Sequence, residues 1–170
     1  QTIEVFAFGA GTIGGTMIDQ IRDQREKLLK ENVDIKVLAI TTIDGMILKE
    51  DGIDLSNWRD QMKKPDFPFG PQNVDDIIKF VKEKKPLNPV FVDCTASYDL
   101  PERYLDILNA GMSIATPNKR ANSMDINFYH ELRRTANKMH RRFLYETNVG
   151  AGLPIIDTLQ NLYKSGDKLE

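Results

Sequence analysis

The stretch VFAFGAGTIGG, residues 5–15, decides the fold of this 170-residue chain. Its first four residues are apolar, as in a strand that is buried on both faces. Three glycines follow at positions 9, 11 and 14, and from Ile13 onward apolar residues recur at helical spacing. The stretch therefore predicts a strand, a tight turn and a helix, in that order.

The glycine spacing G-x-G-x-x-G, placed between a strand and a helix, is typical of a turn that binds the pyrophosphate of a dinucleotide. In such a turn Gly9 permits the tight bend, Gly11 lets the pyrophosphate approach the backbone, and Gly14 packs the helix closely on the strand. The free N–H groups and the positive end of the helix dipole then face the anion. Glycine triplets also occur in turns that bind nothing, so the flanking strand and helix carry the argument.

Strands and helices alternate along the rest of the chain. Apolar runs predict strands at 35–40, 89–95, 113–116 and 143–149. Helical periodicity predicts helices at 74–85, 125–139 and 155–164, and Asp99 with Glu102 resembles a capping box that starts another helix, ending near Gly111. Residues 43–72 are less regular and predict an excursion with one short helix at 55–63. The pattern predicts the α/β class: a Rossmann-type, doubly wound parallel sheet with helices on both faces.

Composition excludes several kinds of partner. The net charge of -2, from 23 Lys and Arg against 25 Asp and Glu, gives no electrostatic basis for binding nucleic acid or an anionic membrane. No apolar run approaches the roughly 18 residues of a membrane helix. One cysteine and two histidines form no metal cluster at a standard spacing. We expect a cytoplasmic protein with a small-molecule partner.

The acidic residue that commonly holds the adenosine ribose of NAD is missing from its usual place. That place is the end of the second strand, where this chain has Thr41 and Thr42; Asp34 precedes the strand, and only Asp44 is near enough to fold back. A site without a fixed negative charge tolerates a 2′-phosphate, although no arginine is adjacent to Thr41. The sequence thus allows NADP or NAD and favours NADP, with Arg59 a candidate for the adenosine end.

Polar residues follow two later strands at the edge where an open α/β sheet binds ligands. Thr95 and Ser97 follow one strand, where their hydroxyls either bond the nicotinamide half of a cofactor or cap the next helix. Lys119, in the sequence TPNK, follows the next strand and either contacts cofactor or substrate or is solvated surface. Cys94 is interpreted as a small core residue.

A glycine-rich turn at 145–154 follows the last strand and exposes several carbonyl oxygens near Glu146. Oxygen-rich sites of this kind suit hard cations. The turn is equally compatible with a simple strand-to-helix connection in which Pro154 starts the helix and no ion is needed.

Five segments, in this order, resemble homoserine dehydrogenases, and most closely the dehydrogenase half of bifunctional aspartokinase-homoserine dehydrogenases. They are FGAGTIGG at 8–15, VDCTAS at 92–97, ATPNKRA at 115–121, FLYETNVGAGLPII at 143–156 and LQNLYKSGD at 159–167. The resemblance implies the NAD(P)H-dependent interconversion of aspartate 4-semialdehyde and homoserine, a step of threonine and methionine biosynthesis.

The resemblance and the glycine motif together imply a set of site residues. The cofactor is expected on Gly9, Ala10, Gly11, Thr12, Ile13, Gly14, Thr95, Ala96 and Lys119. Lys119 is also implied to lie near the substrate. A sodium or potassium ion is implied at Glu146 and the carbonyls of Val149, Ala151 and Leu153.

The resemblance also implies how the chain is organised. Residues 1–154 are expected to be the NAD(P)-binding domain, and 155–170 the start of the connection into a catalytic and dimerisation domain. Because the resemblance assigns the main catalytic lysine to that second domain, we expect the chain by itself to be inactive and its parent to be a homo-oligomer. The alternatives are a non-catalytic dinucleotide-sensing module and, disfavoured by the glycine spacing, a methyltransferase-like fold.

Overall fold

A computed structural model describes residues 1–168. The six strands are β1 Thr2–Phe8, β2 Asp34–Thr42, β3 Gly45–Leu48, β4 Pro89–Asp93, β5 Ser113–Ala115 and β6 Phe143–Leu144. The seven α-helices are α1 Thr12–Lys30, α2 Trp58–Gln61, α3 Gln72–Lys84, α4 Tyr104–Asn109, α5 Arg120–Ser123, α6 Ile126–Lys138 and α7 Ile155–Lys164. Short 3-10 turns occupy Leu100–Arg103 and Glu146–Asn148.

The strands form one sheet in the order β3-β2-β1-β4-β5-β6. Five of them run parallel, and β3 pairs with β2 in the antiparallel direction. The strand order reverses between β1 and β4, so a crevice opens there at the carboxyl ends of the strands. The predicted doubly wound Rossmann-type class with a parallel sheet is confirmed, and the antiparallel β3 is an added edge strand that the sequence did not predict.

Two apolar clusters cover the two faces of the sheet, because the central strands are apolar on both sides. On one face, Val5, Ala7 and Ile40 pack with α1 and the excursion; the members from helix and excursion are Ile18, Ile53, Trp58 and Met62. On the other face, Phe6, Phe91 and Ile114 pack with α3, α4 and α6. Helices therefore lie on both faces. None of the helices within residues 1–168 has the length and hydropathy that a membrane span needs.

The β3 strand was missed because it is only four residues long and lies in a proline-rich segment. The chain turns back from β2 into β3 through Ile43 and Asp44. On its other side, Met46 of β3 forms an isolated antiparallel bridge with Phe67, which lies in no strand. The 3.6- and 2-residue periods need longer runs than this to be recognised. The short helix of the excursion does form, over Trp58–Gln61.

Two further local predictions are wrong. Asp99 makes no side-chain cap; the hydroxyl of Ser97 instead accepts from the N–H groups of Asp99 and Leu100, at 3.3 and 3.1 Å. The strand predicted at 143–149 ends at Leu144, because the chain turns at Glu146–Asn148 to start the approach to α7.

Candidate dinucleotide site

The glycine loop has the conformation that its sequence predicts. Gly9 has φ +84°, in the region that favours glycine, and the N–H groups of Gly9 and Ala10 both donate to the carbonyl of Thr41, at 3.1 and 2.9 Å. A side chain on Gly14 would collide with the Gly9 carbonyl oxygen and lie 3.1 Å from the Cβ of Cys94. Gly9 and Gly14 therefore make the tight turn and the close packing of α1 on the sheet.

The remaining glycine faces open space. A Cβ atom on Gly11 would have no heavy atom within 4 Å, and Gly11, Thr12 and Ile13 are all exposed. Helix α1 has no side-chain cap, and within residues 1–168 the N–H groups of Gly11 through Gly14 have no hydrogen-bond acceptor. Four free donors at the positive end of a 19-residue helix are what a pyrophosphate requires. These residues fit a dinucleotide.

The loop after β4 packs directly against the glycine loop. Both the N–H and the hydroxyl of Thr95 donate to one oxygen of the Asp93 carboxylate, at 2.7 and 2.6 Å. This turn brings the backbone N of Thr95 to 3.0 Å from the position that a Cβ of Gly9 would take. The structure thus brings two predicted cofactor segments together, with Ala96 exposed next to them.

A buried polar network under this edge fixes the loop that carries Lys119. The second oxygen of Asp93 accepts from the Tyr104 hydroxyl at 2.6 Å and from the Asn118 amide at 3.2 Å. Asn118 also donates to the Ser97 carbonyl at 3.0 Å, so it links the loops that follow β4 and β5. Burial, together with the neighbouring Asp93 carboxylate, raises the pKa of Tyr104 far above its ordinary value, so the hydroxyl stays a donor.

Lys119 itself is exposed at this edge, immediately before α5. Among the residues that the structure describes, no carboxylate forms an ion pair with it. Its backbone is held by Asn118 on one side and by the bond from the Asn122 N–H to its own carbonyl, at 3.2 Å, on the other. The structure thus places Lys119 as an exposed residue on a fixed backbone, at the carboxyl edge of the sheet.

Glu146 has a structural role in the glycine-rich turn. Its carboxylate accepts from the N–H groups of Ile156 and Asp157, at 2.9 and 2.8 Å, and so caps α7. Gly150 and Ala151 have φ values of +70° and +52°, and the Leu153 carbonyl accepts from Ile155 at 2.9 Å. Within residues 1–168 the carbonyls of Val149 and Ala151 accept no hydrogen bond, and each Glu146 oxygen keeps a lone pair. These oxygens thus keep free acceptor capacity, and the cap of α7 alone accounts for the position of Glu146.

No cluster of three or more His, Cys, Asp or Glu side chains capable of holding a metal ion occurs within 1–168. Cys94 is partly buried beside the glycine loop, and burial, followed by the charge of Asp93, raises the pKa of its thiol to about 11. A thiol with that pKa is a poor nucleophile at neutral pH. This environment fits the interpretation of Cys94 as a packing residue.

Two features of the site were missed by the sequence reasoning. The Asp93 network depends on Tyr104, Thr116 and Asn118, which only the fold brings together; the sequence signal was the Asp-x-Thr spacing, a common Asx-turn pattern. The second feature is the Asp19 carboxylate, which pairs with Arg59. The sequence named Arg59 as a candidate for the adenosine end, but not the partner that holds its guanidinium 3.5 Å from the position of a Cβ on Gly15, beside the glycine loop. No local pattern links residues 40 or more positions apart.

A G-x-G-x-x-G loop at the switch point of a parallel sheet, with its N–H groups free, defines a dinucleotide-binding domain of the Rossmann class. The chain belongs to the homoserine dehydrogenase NAD binding domain family, whose sequence pattern matches residues 9–146. The resemblance noted in the sequence is thereby confirmed.

Individual relatives agree with this assignment. The bifunctional aspartokinase/homoserine dehydrogenase of Haemophilus influenzae is 41% identical over 170 residues, which are the whole of this chain and 20% of that protein. The crystal structure of a Candida auris protein of unknown function is similar, with a TM-score of 0.84 and 29% identity. The similarity covers 99% of this chain and 45% of the Candida auris chain. A mutant hyperthermophilic archaeal homoserine dehydrogenase, solved with NADPH, has a TM-score of 0.73 and 27% identity, covering 96% of this chain and 50% of that one. The chain spans about a fifth of the length of the curated relatives from Haemophilus influenzae and Buchnera aphidicola that it matches.

Proposed function

We propose that this chain is the cofactor-binding part of an enzyme that interconverts aspartate 4-semialdehyde and homoserine with NAD(P)H. The observation that carries the proposal is the convergence, at one crevice, of the open glycine loop, the Thr95 turn and the exposed Lys119. The family assignment supports the reaction, and the NADPH complex of the archaeal relative supports the cofactor class.

The site residues are assigned accordingly. The pyrophosphate is expected on the free N–H groups of residues 11–14, with Gly9, Ala10, Thr95 and Ala96 around the dinucleotide. When bound, NAD(P)H supplies the hydride. Lys119 is proposed to lie near the substrate, where its positive charge adds to that of the main catalytic lysine, which is expected in the second domain.

NADP is proposed as the preferred cofactor. The end of β2 presents Thr41 and Thr42, and Asp44 lies on the exposed two-residue turn, where its N–H donates to the Thr42 hydroxyl at 3.1 Å. Within the described residues, the end of β2 itself thus carries hydroxyl groups in place of the carboxylate that commonly holds an NAD ribose, which supports NADP.

A sodium or potassium ion is proposed at Glu146 and the carbonyls of Val149, Ala151 and Leu153. A monovalent ion suits this ligand set because the set contains a single carboxylate among neutral carbonyl oxygens. That carboxylate also accepts hydrogen bonds from two N–H groups of α7.

Residues 155–170 are proposed to lead into a second, catalytic domain that also forms the dimer. Helix α7 supports this because it has no buried residue, and Leu159, Leu162 and Tyr163 are 42%, 42% and 70% exposed. An apolar helix face of this kind is usually covered by another part of a protein.

The test is calorimetric titration of the chain with NADPH and with NADH, followed by an assay of semialdehyde reduction. We expect saturable binding of at least one dinucleotide and no turnover, since the proposed substrate-binding domain is not included. Absence of binding by both dinucleotides would overturn the proposed cofactor site. Robust reduction of the aldehyde by the chain alone would overturn the two-domain assignment.

A further inference from the structure

The Asp93 carboxylate, at the end of β4, is completely buried and, within residues 1–168, forms no ion pair with a lysine or an arginine. Four hydrogen-bond donors surround it instead: the N–H and the hydroxyl of Thr95, the Tyr104 hydroxyl and the Asn118 amide. A buried carboxylate without a counter-ion is costly, and it is tolerated only when its lone pairs are satisfied in this way. Its presence indicates a role that an apolar residue of similar size could not fill.

Each oxygen of this carboxylate holds a different loop. One oxygen accepts both bonds from Thr95, in the loop that follows β4, at 2.7 and 2.6 Å. The other accepts at 3.2 Å from Asn118, which directly precedes Lys119 in the loop that follows β5. The Tyr104 hydroxyl, at the start of α4, donates to the same oxygen at 2.6 Å. Because the two oxygens belong to one rigid group, Asp93 fixes the position of the two loops relative to each other.

The loop after β4 is left with backbone groups to offer a ligand. The single hydroxyl proton of Thr95 is donated to Asp93, and the same oxygen accepts from the N–H of Ser97 at 3.1 Å. Within residues 1–168, the carbonyl of Thr95 and the N–H of Ala96 have no hydrogen-bond partner, and Ala96 is exposed. The direction of these free backbone groups therefore depends on the bonds between Thr95 and Asp93.

We propose that Asp93 is a positioning residue, which holds the backbone of Thr95 and Ala96 and the loop of Lys119 in the arrangement that binds the nicotinamide half of the dinucleotide. Because its side chain is completely buried, it acts through these loops and not by contact with the cofactor. This inference rests on the proposed dinucleotide-binding function and adds the residue on which binding of the nicotinamide half depends.

An amide cannot replace the carboxylate in this role. In Asp93→Asn the side chain keeps its shape, but it has one acceptor oxygen, and its NH2 group faces donors that need an acceptor. One of the two loops therefore loses its hydrogen bonds whichever way the amide is turned.

The adenosine half of the dinucleotide provides an internal reference. In this class of fold it lies at the glycine loop and the end of the second strand. Here the N–H groups of Gly9 and Ala10 tie that loop to the Thr41 carbonyl, with no hydrogen bond to the Asp93 carboxylate. Loss of the carboxylate should therefore spare the adenosine half.

The test is calorimetric titration of wild type and Asp93→Asn with the tighter of NADPH and NADH, and with its adenosine half, 2′,5′-ADP or 5′-AMP. A half-cofactor with too little heat is measured by displacement of the dinucleotide. We expect the variant to bind the dinucleotide about ten- to a hundredfold more weakly, as for the loss of one charge-assisted hydrogen bond, and the half-cofactor within about twofold of wild type. Asp99→Asn is the matched control, since it removes an exposed carboxylate from the same loop.

The outcomes separate this inference from the function on which it rests. If wild type binds both ligands and Asp93→Asn weakens them by the same factor, or weakens neither, Asp93 is only structural; the inference is overturned and the dinucleotide site stands. The same selective loss in Asp99→Asn would assign the effect to charge alone and would overturn it too. If wild type binds neither dinucleotide, the proposed site and this inference both fail.

Tyr104→Phe keeps the inference testable if Asp93→Asn does not fold. This substitution removes only the hydroxyl that donates to the Asp93 oxygen on the side of Lys119. We expect it to weaken the dinucleotide by about threefold or more, as for one hydrogen bond, and to leave the half-cofactor unchanged. Equal changes in the two affinities would overturn the inference.

Discussion

The carbonyl oxygen of Gly9 occupies the space in which a side chain on Gly14 would have to begin. Both atoms of this contact belong to the backbone or are fixed to it, so neither can move without shifting β1 or α1. We expect Gly14→Ala to destabilise the fold by about 2–3 kcal/mol, the usual range for overpacking a tight contact. Urea unfolding measures this. Gly15→Ala is the control, since its Cβ would meet neighbours at an ordinary 3.5 Å and should cost far less.

Gly11 should respond in the opposite way. A side chain there meets no atom of the described chain within 4 Å, so Gly11→Val creates no clash. Because the ψ of -146° lies outside the usual β region, we expect only a backbone cost, of about 1–2 kcal/mol in the free energy of unfolding. The same side chain occupies the space of the pyrophosphate, and we expect NADPH affinity to fall at least about tenfold. Unfolding curves and calorimetric titrations on one preparation measure both effects. An unchanged NADPH affinity would contradict the proposed binding mode.

Tyr104→Phe tests the buried network beneath Lys119. The substitution removes one of four donors to the Asp93 carboxylate and leaves a buried oxygen with a single weaker bond from Asn118. We expect a loss of about 1–3 kcal/mol in the free energy of unfolding. Tyr98→Phe, at an exposed tyrosine nearby, should change it by about 0.5 kcal/mol or less. Equal effects of the two variants would argue against a structural role for the Asp93 bond.

Cys94 should make the stability of the fold depend on alkaline pH. Burial raises the thiol pKa from its ordinary 9.0 to about 11, so the folded chain holds this proton more tightly than the unfolded chain does. The resulting stabilisation is complete below the unfolded pKa and is lost as the pH rises toward the folded pKa. Between about pH 9 and pH 11 we therefore expect the unfolding free energy of wild type to fall relative to that of Cys94→Ala. A difference that is constant over this range would contradict the raised pKa.

The proposed cation can be tested by salt replacement. We expect the melting temperature of the chain to be higher in NaCl or KCl than in tetramethylammonium chloride at the same ionic strength, because only the small ions fit carbonyl ligands. Glu146→Gln should remove the difference and also lower stability by about 1 kcal/mol through the weakened cap of α7. Equal melting temperatures of wild type in all three salts would argue that the turn needs no ion.

The sequence was sufficient for those parts of the fold that have local causes. The strand–glycine–helix pattern of residues 5–15 predicted β1, the loop and α1, since each depends on neighbouring residues only. The sequence did not predict β3, because this four-residue strand is defined by its pairing with β2 and by the Met46–Phe67 bridge and not by a periodic pattern of apolar residues. The predicted cap at Asp99 was wrong, and the alternative in which Ser97 caps the helix is the one observed, because the turn at Thr95 places the Ser97 hydroxyl next to the free N–H groups.

For the site, the sequence located the segments but not their supports. Lys119 and Thr95 were recognisable from their places after strands. The Asp93 carboxylate that fixes both loops, and the Asp19–Arg59 pair beside α1, join residues far apart in the chain and required the fold.

The turn at residues 146–148 is attached at both ends. Glu146 caps α7. In the amide orientation that satisfies both of its ends, Asn148 donates to the carbonyls of Thr116 and Pro117, at 2.9 and 3.2 Å, and accepts from Asn122 at 2.8 Å. Helix α7 and the loop that carries Lys119 are therefore mechanically linked through three consecutive residues. A change in the orientation of α7 should therefore shift the backbone of the loop that carries Lys119, the residue proposed to lie near the substrate.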